Sequence, residues 1–287
     1  MRITLRPPRR TVKTIHDDAL SGIRQREITC RTILSPSGIP GADYSINPYI
    51  GCAHACAYCY AHYMQRYSGH DEPWGSFVDL KVNAPQVLIR QLRRIPRASL
   101  FMSSVTDPYQ PPEQRSRITR RILEILAPLS HSLSIHTKSS LVERDICILR
   151  EFRDVSVTFT IVTGDEDAVR CIEPRAPTVA ERIRALEQLS HAGIATSVFI
   201  GPIIPFVTER NIERLLGQLS GAGVRRLMLD DLHYFSRIRE RLLPALYAYD
   251  GDVARRSTRI PENYYQHVAH IILKFCRTHD IQCVTLF

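Results

Sequence analysis

From Tyr44 to Leu232 short apolar runs alternate with longer stretches whose apolar residues recur every three or four positions. Runs of the first kind predict strands at Tyr44–Pro48, Ser99–Ser103, Leu133–Thr137, Val155–Val162, Thr196–Ile200 and Arg226–Leu229. Between them the spacing of Ile118, Ile122, Leu123, Ile125 and Leu126 predicts a helix over Arg117–Leu126. Further helices are predicted after Cys59, from the third strand through Arg150, over Val179–His191 with a stop at Gly193, and over Thr208–Leu219 with Thr208 as its cap. Beyond Leu232 the pattern changes to a helix over Ile260–Thr278 and a last strand over Ile281–Phe287.

Strands alternating with helices imply parallel βαβ units with right-handed crossovers. Six such units fit an α/β fold of the partial, TIM-like (β/α)6 barrel kind, whose chemistry sits at the C-terminal ends of the strands. Residues 1–43, with Pro7, Pro8, Pro36 and Pro40 and little periodicity, read as an N-terminal extension wrapping the main domain. Residues 44–232 read as the barrel, and residues 233–287 as a helix–strand segment flanking its open side.

The length of 287 residues suits one large domain, and the formal charge of +9 favours anionic partners such as nucleotide phosphates, nucleic acid or an acidic protein. No dense basic run with interleaved aromatics stands out; the densest stretch, Arg2–Lys13, reads as a loose arm. No apolar stretch follows the basic start, and the longest apolar region, Gly193–Val207, is interrupted by Thr196, Ser197, Pro202 and Pro205. A cytoplasmic protein with no membrane span is therefore expected.

Candidate chemistry concentrates in Cys52, Cys56 and Cys59, spaced C-x3-C-x2-C. Neighbouring thiolates hold iron–sulfur clusters, and three of them leave one iron of a four-iron cubane without a protein ligand. A disulfide with a spare thiol is one alternative, and a zinc site completed by His54 or His62 is another. Structural zinc sites usually pair two ligand groups, and no second C-x2-C or H-x3-H exists here.

With Tyr58 just before the last cysteine, the motif resembles the cluster motif of the radical S-adenosylmethionine (SAM) superfamily. Other segments resemble its spore photoproduct lyase-like branch. These are Ser37–Pro48 before the cysteines, Ser103–Gln110 after the second strand, Thr137–Ser139 after the third, Glu173–Pro177 after the fourth and Gly201–Pro205 after the fifth. The resemblance implies a radical SAM barrel, a 4Fe–4S cluster, SAM, and an external electron donor such as flavodoxin or ferredoxin. It implies reductive cleavage of SAM to a 5′-deoxyadenosyl radical that abstracts a hydrogen atom. It also implies polar groups that hold SAM at the vacant iron. Ser104 and Thr106 are candidates for its amino group, and Lys138, Thr163 and Arg182 for its carboxylate. Tyr58 and the backbone of Gly201, Pro202 and Ile203 are candidates to flank its adenine. One departure matters: where true spore photoproduct lyases carry a hydrogen-donating cysteine, hand alignment puts Ser104, which disfavours thymine-dimer repair.

Cys147 and Cys171 lie among apolar neighbours and read as core. Cys30, Cys276 and Cys283 would ligate an auxiliary cluster if the two termini meet at the barrel mouth, and sulfur insertion would then join the candidate reactions. The expected function is hydrogen abstraction from a small phosphorylated or nucleoside-like substrate. The competing readings are a nucleic-acid lesion lyase or repair enzyme and a non-catalytic metal-bound nucleic-acid-binding protein.

Overall fold

A computed structural model describes residues 12–18, 22–233 and 235–287. The strands in chain order are β1 (Val12–Asp18), β2 (Ile23–Ile28), β3 (Leu34–Pro36), β4 (Tyr44–Ile46), β5 (Tyr49–Ile50), β6 (Phe77–Lys81), β7 (Ser99–Met102), β8 (Ser132–Thr137), β9 (Val155–Thr160), β10 (Ala195–Ile200), β11 (Arg226–Leu229) and β12 (Gln282–Thr285). The α-helices are α1 (Ala84–Leu92), α2 (Glu113–Ser116), α3 (Ile118–Leu126), α4 (Ile146–Leu149), α5 (Glu166–Ile172), α6 (Val179–His191), α7 (Ile212–Gly221), α8 (Phe235–Tyr249), α9 (Gly251–Ser257) and α10 (Tyr264–Thr278).

The main sheet runs in the order β12-β11-β10-β9-β8-β7-β4-β3. Every neighbouring pair from β4 to β12 is parallel, and β3 adds an antiparallel edge. The six expected strands are thus the six central ones, with β12 extending the row. Leu100, Leu133, Ile135, Val157, Phe159, Val198, Ile200, Leu227 and Leu229 pack between this sheet and its helices, the burial expected of parallel strands. α6 begins as predicted, because Thr178 and Glu181 cap each other's backbone N–H groups.

Several elements differ from the sequence reading. The segment before Tyr44 contains β1, β2 and β3, and β1-β2-β6-β5 form a second, four-stranded sheet. Most of the basic run Arg2–Lys13 lies outside the described residues. The helix after Cys59 is a 3-10 helix (Tyr60–Tyr67), and a second one (Ser140–Asp145) precedes the single turn of α4. That short turn turns Ile148 and Leu149 inward and leaves Cys147 exposed, correcting its core reading. α7 starts at Ile212 rather than Thr208, whose hydroxyl instead accepts from the Ile204 N–H at 2.8 Å. No helix among the described residues is long and apolar enough to cross a membrane.

Candidate radical SAM site

The three cysteines lie in the loop between β5 and the 3-10 helix of Tyr60–Tyr67, on the connection from β4 to the rest of the sheet. Gly51 turns the chain into this loop with φ +82, and a Cβ there would stand 2.3 Å from the Phe77 carbonyl oxygen. Only glycine fits both constraints. Gly75 (φ +100) has a similar role, since a Cβ would meet the Ala55 methyl at 2.5 Å.

Side chains from four directions pin the loop. Gln110, fully buried, accepts from the Ala53 N–H at 2.7 Å, and Thr106 donates to the Gly51 carbonyl at 2.6 Å. The Ala57 N–H donates to the Ile172 carbonyl at 2.8 Å, and Arg241 of α8 donates to the Cys56 carbonyl at 3.0 Å. Tyr58 donates to Glu173, whose other oxygen receives Arg182. Cys56 is buried, with Cys52 and Cys59 half-buried, and none is in a disulfide. Burial pushes the Cys56 thiol up to about 12 and raises Cys52 and Cys59 as well. Such thiols become thiolates only when something positive compensates them.

The surroundings fit an iron–sulfur cluster better than a single ion. Among the described residues, the only set of three or more ligand atoms gathered within 4.8 Å is Asp230, Asp231 and His233. Cys52, Cys56 and Cys59 with His54 or His62 do not gather as one zinc ion would need, whereas a cubane spreads its thiolates over different irons. His62 Nδ1 instead lies 3.1 Å from the Cys59 carbonyl oxygen, and His54 Nδ1 lies 3.4 Å from Asp107. Burial lowers the His54 pKa, so its ring is neutral. Trp74 Nε1, in the small cluster that Cys52 and Cys59 adjoin, and Arg241 Nη1, on the guanidinium that holds the Cys56 carbonyl, are buried without an oxygen or nitrogen acceptor. Buried donors beside the cysteine loop suit an anionic group.

The predicted binding residues divide sharply. Lys138, at the end of β8, lies over the Tyr58 ring at 5.5 Å from its centroid. Burial works against its charge, but Cys56 and Glu173 outweigh it and raise the lysine above its ordinary value. Ser104 is half-buried, and its hydroxyl accepts from Asn47 at 3.1 Å, which leaves its own proton to donate. These two residues remain candidates for a ligand.

The other predicted contacts are spent on the protein itself. Thr106 holds Gly51 and accepts from Gln110 at 2.9 Å. Thr163 is fully buried, donates to the Val207 carbonyl at 3.3 Å and accepts from the Asp165 N–H. Arg182 has no exposure at all: besides Glu173 it donates to the Pro177 carbonyl at 2.7 Å and the Thr160 carbonyl at 3.1 Å. Its guanidinium orients Glu173 and has no face left for a ligand carboxylate. Tyr58 carries Lys138 over its ring and spends its hydroxyl on Glu173. Ile203 is fully buried with its N–H bonded to the Asp230 carbonyl at 2.8 Å. Gly201 admits the Phe199 ring, which a Cβ would meet at 2.1 Å, and Pro202 is half-buried.

Cys276 and Cys283 adjoin, their thiols sharing a hydrogen bond. Cys283 lies on β12 at one edge of the main sheet. Cys30 precedes β3 at the other edge, its backbone held by Asn83 beside α1. Cys30 thus lies at the other end of the strand order from the pair, which lends the expected auxiliary cluster no support.

Two residues that organise the site were not singled out from sequence. Asp107 accepts from the Tyr109 N–H at 2.9 Å, and it also receives the Thr137 hydroxyl and the Lys138 N–H, each at 2.8 Å. It thereby locks the loop after β7 to the end of β8. Glu173 is buried, and although burial raises its pKa, Arg182 and Lys138 together with bonds from Arg182 and Tyr58 hold it below the carboxylate range. Each stands immediately before a proline, Asp107 in the loop after β7 and Glu173 at the C-terminal end of α5.

Comparison with known proteins accords with this geometry. The family model of the radical SAM superfamily matches residues 46–219. An uncharacterised protein of Methanocaldococcus jannaschii is 38% identical over 192 residues, 67% of this chain and 71% of that protein. An uncharacterised protein of Mycobacterium tuberculosis is 30% identical over 290 residues, covering 92% of this chain and 84% of the relative. A protein of Pseudomonas phage M6 named radical SAM Nalpha-GlyT isomerase is 26% identical over 180 residues, 61% of this chain and 36% of its own. In fold, spore photoproduct lyase complexed with dinucleoside spore photoproduct superposes with a TM-score of 0.66 at 15% identity, over 92% of this chain and 82% of that one. Streptococcus suis SuiB bound to precursor peptide SuiA superposes with a TM-score of 0.55 at 11% identity, over 85% of this chain and 48% of that one. From the family match over the cysteine loop and the parallel sheet that carries it, the chain belongs to the radical SAM superfamily.

Proposed function

We propose that this enzyme removes a hydrogen atom from a small phosphorylated or nucleoside-like substrate. Superfamily membership implies a 4Fe–4S cluster and SAM. Cys52, Cys56 and Cys59 hold the cluster, Lys138 the SAM carboxylate, Ser104 the amino group, and an external donor such as flavodoxin or ferredoxin supplies the electron. A cluster held there would supply the single electron for reductive cleavage of SAM, the source of the hydrogen-abstracting radical.

The observation that carries the substrate class is an open groove of about 400 Å³ lined by Phe206, Arg255, Arg256, Arg259 and Pro261. Phe206 stands on the loop leaving the C-terminal end of β10, the end at which barrels of this kind work. The Arg256 guanidinium stacks on its ring at 4.1 Å from the centroid. The nearby acid, Asp252, is exposed and pairs with Arg255 at 3.5 Å and Arg256 at 3.9 Å, long contacts that compete little with a phosphate. Planar, always-charged guanidiniums held by an aromatic face favour a phosphorylated ligand over a neutral one. Ser103 and Ser104 offer no thiol after β7, so dimer repair with a cysteine hydrogen donor from that loop is disfavoured. The auxiliary cluster is without support, so sulfur insertion is not proposed.

A second reading, a nucleic-acid substrate, draws on the 3-10 helix beside the cysteines. Tyr60, Tyr63 and Tyr67 are exposed there, and Arg66 stacks on Tyr67 at 4.7 Å and Tyr63 at 5.7 Å. This is a short aromatic-and-basic face of the kind bases stack on.

The test is substrate-stimulated formation of 5′-deoxyadenosine by the reduced, reconstituted enzyme. Phosphorylated nucleosides should stimulate it more than their unphosphorylated forms. Changing Arg255, Arg256 and Arg259 together to Ala should raise KM for the phosphorylated forms alone. Equal stimulation by both forms would remove the groove from the substrate site. Tight, steeply salt-dependent binding of DNA at about 0.1 M salt would favour the second reading.

A further inference from the structure

Two donors near the cysteines are left unpaired by an otherwise well-bonded loop. Trp74, in the loop before β6, is buried and packs edge-on against Phe77 at 6.0 Å, in a small apolar cluster that Cys52 and Cys59 adjoin. Its indole nitrogen has no oxygen or nitrogen acceptor, and Cys59 packs against the same cluster. Arg241 approaches from α8. One guanidinium nitrogen bonds the Cys56 carbonyl at 3.0 Å, while Nη1 is buried without a partner.

An indole N–H only donates, and a guanidinium only donates and stays charged. Leaving either unpaired in the interior costs stability unless an acceptor arrives. The cysteine loop brings sulfur beside both, since Cys59 packs against the Trp74 cluster and Cys56 holds Arg241 through its carbonyl. We propose that Trp74 and Arg241 are positioning residues for the cluster's electron: they set its reduction potential by donating to the thiolate sulfurs. Both favour added negative charge, so both raise the potential. Arg241 also gives the segment after residue 233 a part in the chemistry, since α8 closes over the cysteine loop and brings a cation to it.

The inference rests on the cluster reading, and the experiment separates the two. Anaerobically reconstituted wild-type enzyme without SAM is titrated against redox mediators, with the reduced-cluster EPR signal as readout. Trp74→Phe and Arg241→Gln should each keep full iron and sulfide content and shift the midpoint to a more negative value. Arg241→Lys, which keeps the charge, should fall between Arg241→Gln and wild type. Full cluster content with unchanged midpoints would overturn the inference but leave the cluster reading standing; a wild-type protein that takes up no iron would overturn both. If Trp74→Phe fails to fold, wild-type protein decides the tryptophan arm. The chain has one tryptophan, so an indole-¹⁵N label reports Trp74 alone. A nitrogen hyperfine coupling to the reduced cluster is expected, and its absence would remove Trp74 from the cluster's environment.

Discussion

Glu173→Gln removes one negative charge and leaves the side chain's shape almost unchanged. The carboxylate it neutralises is buried, receives Tyr58 and Arg182, and has the Lys138 charge nearby. Arg182 is 0% exposed and cannot turn to water for compensation. Removing one partner of a buried ion pair costs about 3–5 kcal/mol because a charge is left unmatched. That is roughly a 10²- to 10⁴-fold loss in the folding equilibrium. Denaturant titration of the reduced, metal-free protein, followed by Trp74 fluorescence, measures it. The double variant Glu173→Gln/Arg182→Met should recover part of the loss, since the Arg182 charge is then no longer left unmatched. The pH dependence fixes the sign. Glu173 titrates below its ordinary value, so its contribution is fully present above about pH 4.3 and fades as pH falls through the folded-state pKa. The gap between wild type and Glu173→Gln should close in that acid window. A variant within about 0.5 kcal/mol of wild type at neutral pH would refute the buried triad of Tyr58, Glu173 and Arg182.

Further expectations concern the ligand and the loop. Lys138→Ala should weaken SAM binding by about 1.5–3 kcal/mol, the worth of a charge-assisted contact, with iron content unchanged; calorimetry showing unaltered affinity would turn Lys138 away from SAM. Gly51→Ala should cut iron retention after reconstitution, because its Cβ would stand 2.3 Å from the Phe77 carbonyl oxygen; full retention of iron and sulfide would mean that the loop entry relaxes freely.

The central strands were legible because β-branched and aliphatic runs bounded by polar turns have few other uses. β6 was not, since Asp79 interrupts its apolar run. In the fold Asp79 is buried and paired with His70 at 2.8 Å, a tertiary contact no local pattern reveals. α8 escaped notice for a similar reason: Pro244 sits inside it and the preceding Arg237–Arg241 stretch is charged. At the site, the cysteine spacing carried the chemistry by itself, but hydroxyls and cations on the loops did not declare their partners. Thr106 and Thr163 lie on loops after their strands and Arg182 in the first turn of α6, yet each is consumed by backbone carbonyls or by Glu173. Lys138 and Ser104 differ from them only in what the fold leaves unpaired. Cys30 and Cys283 illustrate the same limit, since sequence cannot say that the loop before β3 and strand β12 belong to opposite ends of one strand order.

The central claim is that the three thiolates hold a cluster with one iron open to SAM. The most direct measurement is formation of 5′-deoxyadenosine by anaerobically reconstituted protein given SAM and a strong one-electron reductant. The wild type should turn brown on reconstitution and form 5′-deoxyadenosine even without substrate, and changing Cys52, Cys56 and Cys59 to Ala should abolish both. Undiminished 5′-deoxyadenosine formation by the triple variant, or a colourless zinc-loaded wild type that leaves SAM intact, would contradict the assignment.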